Sequence, residues 1–189
     1  AVSKVAQDLI SKVYFDSYKT KVIRTRGFNH EGPRRLYHFG LPWYAFQICR
    51  IKKGIQAPLI KTGHRLDKRN FTHVKDMCNA YLKAVQNCEF GELYLVGNSE
   101  KEYETTFDEA LKSMLQIHKM ENVEIKAVPE YTRPTQVPYL ISDCSKFTEI
   151  SGWAPKLSLN DIYIDTLNYW DKDKRLSFEL NTLGGVHPI

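Results

Sequence analysis

Arginine suits phosphate because its planar guanidinium gives two parallel, charge-assisted hydrogen bonds to one anion. Three segments of this chain place arginines where they could act this way. Residues 28–35 read FNHEGPRR. The Gly32-Pro33 pair forces a turn, so Asn29, His30, Arg34 and Arg35 project from the end of a short β-branched segment, where α/β sheets hold their ligands. Arg69 lies in the polar stretch GHRLDKRN, and Arg133 in PEYTRPTQVP. The three prolines of the latter fix the backbone, so a long side chain is presented at little ordering cost. Lys4, near the start of a helical pattern, is a fourth candidate. By residue type alone each has a plainer reading. The Gly-Pro segment is also an ordinary polar turn, the arginine stretches are also solvated surface, and Lys4 is also an exposed lysine whose charge gains nothing from a helix N-terminus.

Metal and thiol chemistry are not indicated. Cys49, Cys78, Cys88 and Cys144 form no C-x-x-C pair, and no histidine or second cysteine stands at ligand spacing from them. They read as reduced thiols of a cytoplasmic protein. His64, His73 and His118 have no partner pattern and read as surface or satisfied histidines. The 189 residues carry 27 Lys and Arg against 22 Asp and Glu. That excess of +5 is spread in short clusters interleaved with acids, so it argues for no nucleic-acid surface. No apolar run reaches the roughly 18 residues of a membrane span, so no membrane partner is expected. The opening AVSKVAQDLI lacks the layout of a signal peptide.

The elements that must position these residues follow from spacing. Val2, Val5, Leu9, Ile10 and Val13 mark a helix that starts without a cap, which suggests that chain precedes it. KVIRTR reads as a strand leading into the Gly-Pro turn. Leu41 to Ile51 is a second helix, stopped by Gly54, and PLIKT is a strand. A third helix carries Val74, Met77, Cys78, Tyr81 and Val85. ELYLV is a buried strand, and Thr106-x-x-Glu109 is a capping box opening a fourth helix to about Met120. VEIKAV is a strand, a short helix follows Asp143, and Ser158 caps a last helix through Trp170. Strands alternating with helices define an α/β class.

One expected motif is missing. An α/β protein that binds a dinucleotide needs a glycine-rich turn after its first strand, and the ten glycines here are scattered. Six segments in order — AVSKVAQDL, RTRGFNHEGPRR, DKRNFTHVKDM, GELYLVGN, RPTQVPYLISDCSKF and SGWAPKLSLNDI — nevertheless resemble the C-terminal half of the extended short-chain dehydrogenases/reductases. Within that NAD(P)-dependent nucleotide-sugar epimerase/dehydratase family, the nearest likeness is to the GDP-mannose 4,6-dehydratases. It covers about residues 1–170.

The resemblance implies the C-terminal part of a doubly wound, Rossmann-like domain plus a smaller α/β substrate-binding lobe. Residues 1–35 and 71–98 would belong to the dinucleotide-binding domain, 36–70 and 99–170 to the lobe, and 171–189 to a tail. It also implies roles. Lys4 would be the lysine of a catalytic Y-x-x-x-K whose tyrosine stands just before Ala1. There its ammonium would lower the tyrosine pKa and hydrogen-bond the nicotinamide ribose. His30 and Arg35 would contact the cofactor, NADP with NAD possible. Asn29, Arg69 and Arg133 would bind the nucleotide sugar, GDP-mannose being favoured, with Arg69 on the diphosphate. The whole protein would be a homo-oligomeric dehydratase, dimer or tetramer, and this chain alone inactive. A reductase or epimerase of the same fold, or a non-catalytic nucleotide-sugar-binding remnant, is the alternative. Three positions depart from the dehydratase pattern. Gly32 replaces serine and leans towards the related reductases. Asn70 replaces the aspartate after Arg69, which removes a possible carboxylate orienter. Gln136 replaces an acid.

Overall fold

The computed structural model describes residues 2–132 and 137–177, so Arg133 and Gln136 lie outside the described residues. Apolar spacing produces the expected helices: α1 (Val2–Tyr18), α2 (Gly40–Lys52), α3 (Val74–Asn87), α4 (Phe107–Ile117), α5 (Ser145–Ser151) and α6 (Leu159–Asp171). Their starts are chemically marked. Thr106 and Glu109 close a reciprocal capping box on α4, and Ser158 and Asp161 do the same on α6. The ring of His73 accepts the N–H of Lys75 at 3.1 Å and so caps α3.

The strands pair mainly in parallel, as an α/β chain requires. β1 (Arg24–Gly27) pairs with β6 (Leu93–Val96), β2 (His30–Glu31) with β5 (Thr72–His73), and β3 (Leu59–Thr62) with β8 (Glu124–Ala127). β4 (Lys68–Asn70) is the centre of a three-stranded sheet, between antiparallel β7 (Glu104–Thr106) and parallel β9 (Tyr139–Leu140). The polar stretch GHRLDKRN is therefore not solvated surface throughout. Its last residues form a central strand because partners far along the chain satisfy the backbone on both sides, and local composition carries no trace of them.

Two apolar cores result. The larger joins α2, α4 and α6 over β3, with Phe46, Ile48, Leu111, Ile162 and Trp170 fully enclosed. The smaller joins α3 and β6 to Phe147 of α5 and to Trp153. Phe147 and Trp153 fall in the stretch expected to build the substrate lobe, yet they pack against the parallel β1–β6 unit. A buried carboxylate helps tie the two regions, beside the exposed Lys75–Asp165 pair. Buried Asp76, in the first turn of α3, accepts the N–H groups of Lys156 (3.0 Å) and Leu157 (2.9 Å) just ahead of α6.

Candidate functional site

β1 and β2 aim their C-terminal ends at the Gly32-Pro33 turn, and two adjoining cavities open there, of about 330 and 450 Å³. Asn29, Glu31, Arg35 and Leu140 line both, so they form the wall between them. The 330 Å³ cavity runs from this wall over Trp43, Tyr44, Phe71 and Phe107 to a polar edge of His64, Asp67 and Arg69. An apolar floor with few converging polar groups is the usual make-up of a small-molecule site. The other cavity follows the chain from Arg26 to Glu31 and includes His30.

Backbone shape places the wall. Gly32 has φ 149°, where L-residues are rare, and a Cβ there would meet Val74 Cγ1 at 2.8 Å. Arg34 follows with φ 74°, and Arg35 comes back to lay its guanidinium 3.7 Å above the ring centroid of Phe39. Gly63 shapes the far side: a Cβ there would stand 2.2 Å from the carbonyl oxygen of Tyr131, which presses the Tyr131 segment against the cavity.

Arg69 is held by a group the sequence pattern hid. Its Nη2 lies 3.5 Å from Asp67 Oδ2, and Asp67 Oδ1 lies 2.8 Å from His64 Nδ1. Asp67 therefore orients Arg69 and His64 together, two residues before the arginine on the same side of an extended segment. This corrects the expectation that Asn70 costs Arg69 its carboxylate. Asn70 points inward instead, donating to the carbonyl of Asn98 and, at 2.9 Å, to the hydroxyl of Ser142. His64 is a surface histidine satisfied by Asp67, as read from the sequence, whereas His73 is fully buried: its Nδ1 caps α3 and its Nε2 lies 3.3 Å from Asp165 Oδ2 without a hydrogen bond. The i, i+2 relation of Asp67 and Arg69 was available in the sequence once 67–70 is read as extended chain.

The remaining candidates divide. Asn29, His30 and Arg35 stand together at the wall and the 450 Å³ cavity. The Nδ1 of His30 is 2.8 Å from the carbonyl of Phe28 and donates to it, which fixes the ring. Lys4 is exposed on α1, donates to Gln7 Oε1 at 2.9 Å, and lines neither cavity. Glu31, quoted in the turn motif but given no role, proves to be a buried cavity residue. Its burial pushes the carboxyl up to about 7, with the Arg35 charge pulling the other way. Burial also raises the Tyr44 phenol, which stays protonated at neutral pH.

The family model described as GDP-mannose 4,6 dehydratase matches residues 1–166. The chain belongs to the GDP-mannose 4,6 dehydratase family. Among its relatives, GDP-6-deoxy-D-mannose reductase of Pseudomonas aeruginosa is 26% identical over 175 residues, covering 93% of this chain and 56% of the relative. GDP-mannose 4,6 dehydratase 1 of Arabidopsis thaliana is 29% identical over 162 residues, covering 86% and 44%. The solved structure of RMD from Pseudomonas aeruginosa complexed with NADPH superposes with a TM-score of 0.83 at 26% identity, covering 90% of this chain and 55% of that one. A dTDP-glucose 4,6-dehydratase from Bacillus anthracis, solved in complex with NAD, shares the fold at a TM-score of 0.77 and 22% identity, covering 93% and 52%. The chain spans about half the length of the curated relatives it matches. This family membership gives the two cavities their context: the parallel β1–β6 and β2–β5 pairs are pieces of a Rossmann-type sheet, and ligands of such sheets sit beyond the C-terminal strand ends.

Toward a nicotinamide dinucleotide, the described residues offer unpaired hydrogen-bond donors at one of these cavities. Asn29 Nδ2 and Arg35 Nε are buried without hydrogen-bond partners beside the 450 Å³ cavity. The sequence holds no glycine-rich turn to receive a pyrophosphate.

Proposed function

We propose that the whole protein is a nucleotide-sugar 4,6-dehydratase acting on GDP-mannose to give the 4-keto-6-deoxy product, with NADP, or NAD, as its cofactor. The observation that carries this reading is the convergence of Asn29, Arg35 and Arg69 on adjoining cavities in a chain that fits the GDP-mannose 4,6 dehydratase model. In this reading the nucleotide sugar fills the 330 Å³ cavity. Arg69, fixed by Asp67, meets the diphosphate. Asn29 meets the sugar. The aromatic floor excludes water from it. The 450 Å³ cavity takes the nicotinamide end, with His30 and Arg35 on it, and the cofactor when bound supplies the hydride acceptor and donor. Lys4 would join the catalytic set in this reading, although α1 presents it to solvent here. The same account assigns Arg133 to the nucleotide end and expects a homo-oligomer.

A second reading has its own support. Gly32 and the likeness to GDP-6-deoxy-D-mannose reductase over 93% of this chain favour a reductase that acts on the 4-keto sugar instead. Two incubations separate them, one with GDP-mannose and a second with the 4-keto sugar and NADPH. The whole protein is supplied with GDP-mannose and a trace of NADP, and the products are weighed by mass spectrometry. A dehydratase yields a nucleotide sugar lighter by one water with no net use of cofactor. A reductase leaves GDP-mannose untouched and consumes NADPH only when given the 4-keto sugar.

A further inference from the structure

The wall between the two cavities holds three polar atoms that the fold leaves unsatisfied. Glu31 Oε2, Arg35 Nε and Asn29 Nδ2 are all buried, and none has a hydrogen-bond partner. Glu31 is the least expected of them. Its side chain is 8% exposed, and its backbone is fixed in β2 by parallel pairing with His73 of β5. A buried carboxylate normally takes a full set of donors, and leaving one oxygen unmatched costs free energy that an unliganded fold does not recover. Arg35 Nε is 3.9 Å from that oxygen. This is too long for a direct hydrogen bond, and a hydroxyl oxygen seated beside the pair can accept from the guanidinium and donate to the carboxylate. Asn29 adds a second donor on the same wall.

A ligand that matches this set must both donate and accept at closely spaced oxygens. A diphosphate does not match it, because its oxygens have no proton to donate and its charge stands against the ionised form of Glu31. A sugar can, because every hydroxyl does both. We propose that Glu31 is a sugar-binding residue of the nucleotide-sugar site, receiving a hexose hydroxyl that Arg35 Nε and Asn29 donate to from the other side, the terminal nitrogens of Arg35 being left to face the cofactor. The assignment rests on the nucleotide-sugar reading above and adds a residue to it. It also places the hexose at the one wall shared by both cavities, where a sugar in the first can meet a group in the second.

The test uses calorimetric titration of the protein with GDP and, separately, with GDP-mannose, for the parent, Glu31→Leu and Glu31→Gln. GDP lacks the hexose, so it reports the nucleotide contacts and serves as the control for folding of each variant. The expected result is that the parent binds GDP-mannose about tenfold or more tighter than GDP, the worth of one or two hydrogen bonds to a charged group. Glu31→Leu should lose most of that margin with GDP affinity unchanged. Glu31→Gln, which keeps one acceptor, should lose less. If the variants keep the parent's margin, or if the parent binds GDP and GDP-mannose equally, Glu31 holds no sugar, and the nucleotide reading stands without it. If the parent binds neither ligand, the nucleotide-sugar reading itself fails and this assignment falls with it.

Discussion

Glu31 makes a measurable demand on folding, separate from any ligand. Its carboxyl moves from 4.5 in the open chain to about 7 in the fold, because burial disfavours the charge more than Arg35 favours it. Between those values the folded protein keeps a proton that the unfolded chain has released. Stability from this group is therefore full below about pH 4.5 and is lost as pH rises through about 7. The whole shift amounts to about 3 kcal/mol as an order of magnitude. Glu31→Gln should remove that slope, so its urea midpoint should exceed the parent's at pH 8 and approach it at pH 5. Parallel curves at both pH values would contradict the buried carboxyl. Asp67 offers the second residue-scale expectation. Asp67→Asn keeps the shape but loses the charge that steers Arg69 and His64, and GDP affinity should fall about three- to tenfold in a titration. Unchanged affinity would mean that Arg69 is set by the strand alone.

At the scale of elements, the seam between α3 and the segment entering α6 hangs on Asp76. Asp76→Ala would strip two N–H groups of their acceptor. Hydrogen bonds to charged groups contribute roughly 1.5–3 kcal/mol each, so losing both should cost about 3–6 kcal/mol in urea unfolding. A loss under 1 kcal/mol would show that water replaces the carboxylate. Helices were legible in the sequence because their signals are local: the period of Val5, Leu9 and Val13, and the cap chemistry of Thr106 and Ser158. β4 was not legible, because what makes Lys68–Asn70 a strand is pairing with residues more than 30 positions away. The same blindness hid part of the site. Asn29, Arg35 and Arg69 could be picked by type and motif, whereas Asp67, His64 and Glu31 gained meaning only when the cavity brought them together. Arg69 also differs from a loop arginine in consequence: its side chain is only 12% exposed, so its replacement should cost some stability as well as binding.

For the whole molecule, the two cores are unequal to the surface they must cover. α2 is enclosed from Leu41 to Arg50, whereas α1 has no buried residue, and Leu9, Ile10 and Val13 are each more than half exposed. Local stability follows buried contact, so in the 189-residue chain the amides of α1 should exchange with deuterium far faster than those of α2. Equal protection would mean that the chain covers α1 by associating with itself. The central claim is that the 330 Å³ cavity receives a nucleotide diphosphate on Arg69. Calorimetric titration of GDP into the parent and Arg69→Ala tests it most directly. The account predicts binding by the parent and a dissociation constant raised about tenfold to a hundredfold in the variant, the loss of one bidentate charged contact. Equal binding by both proteins, or none by the parent, would contradict it.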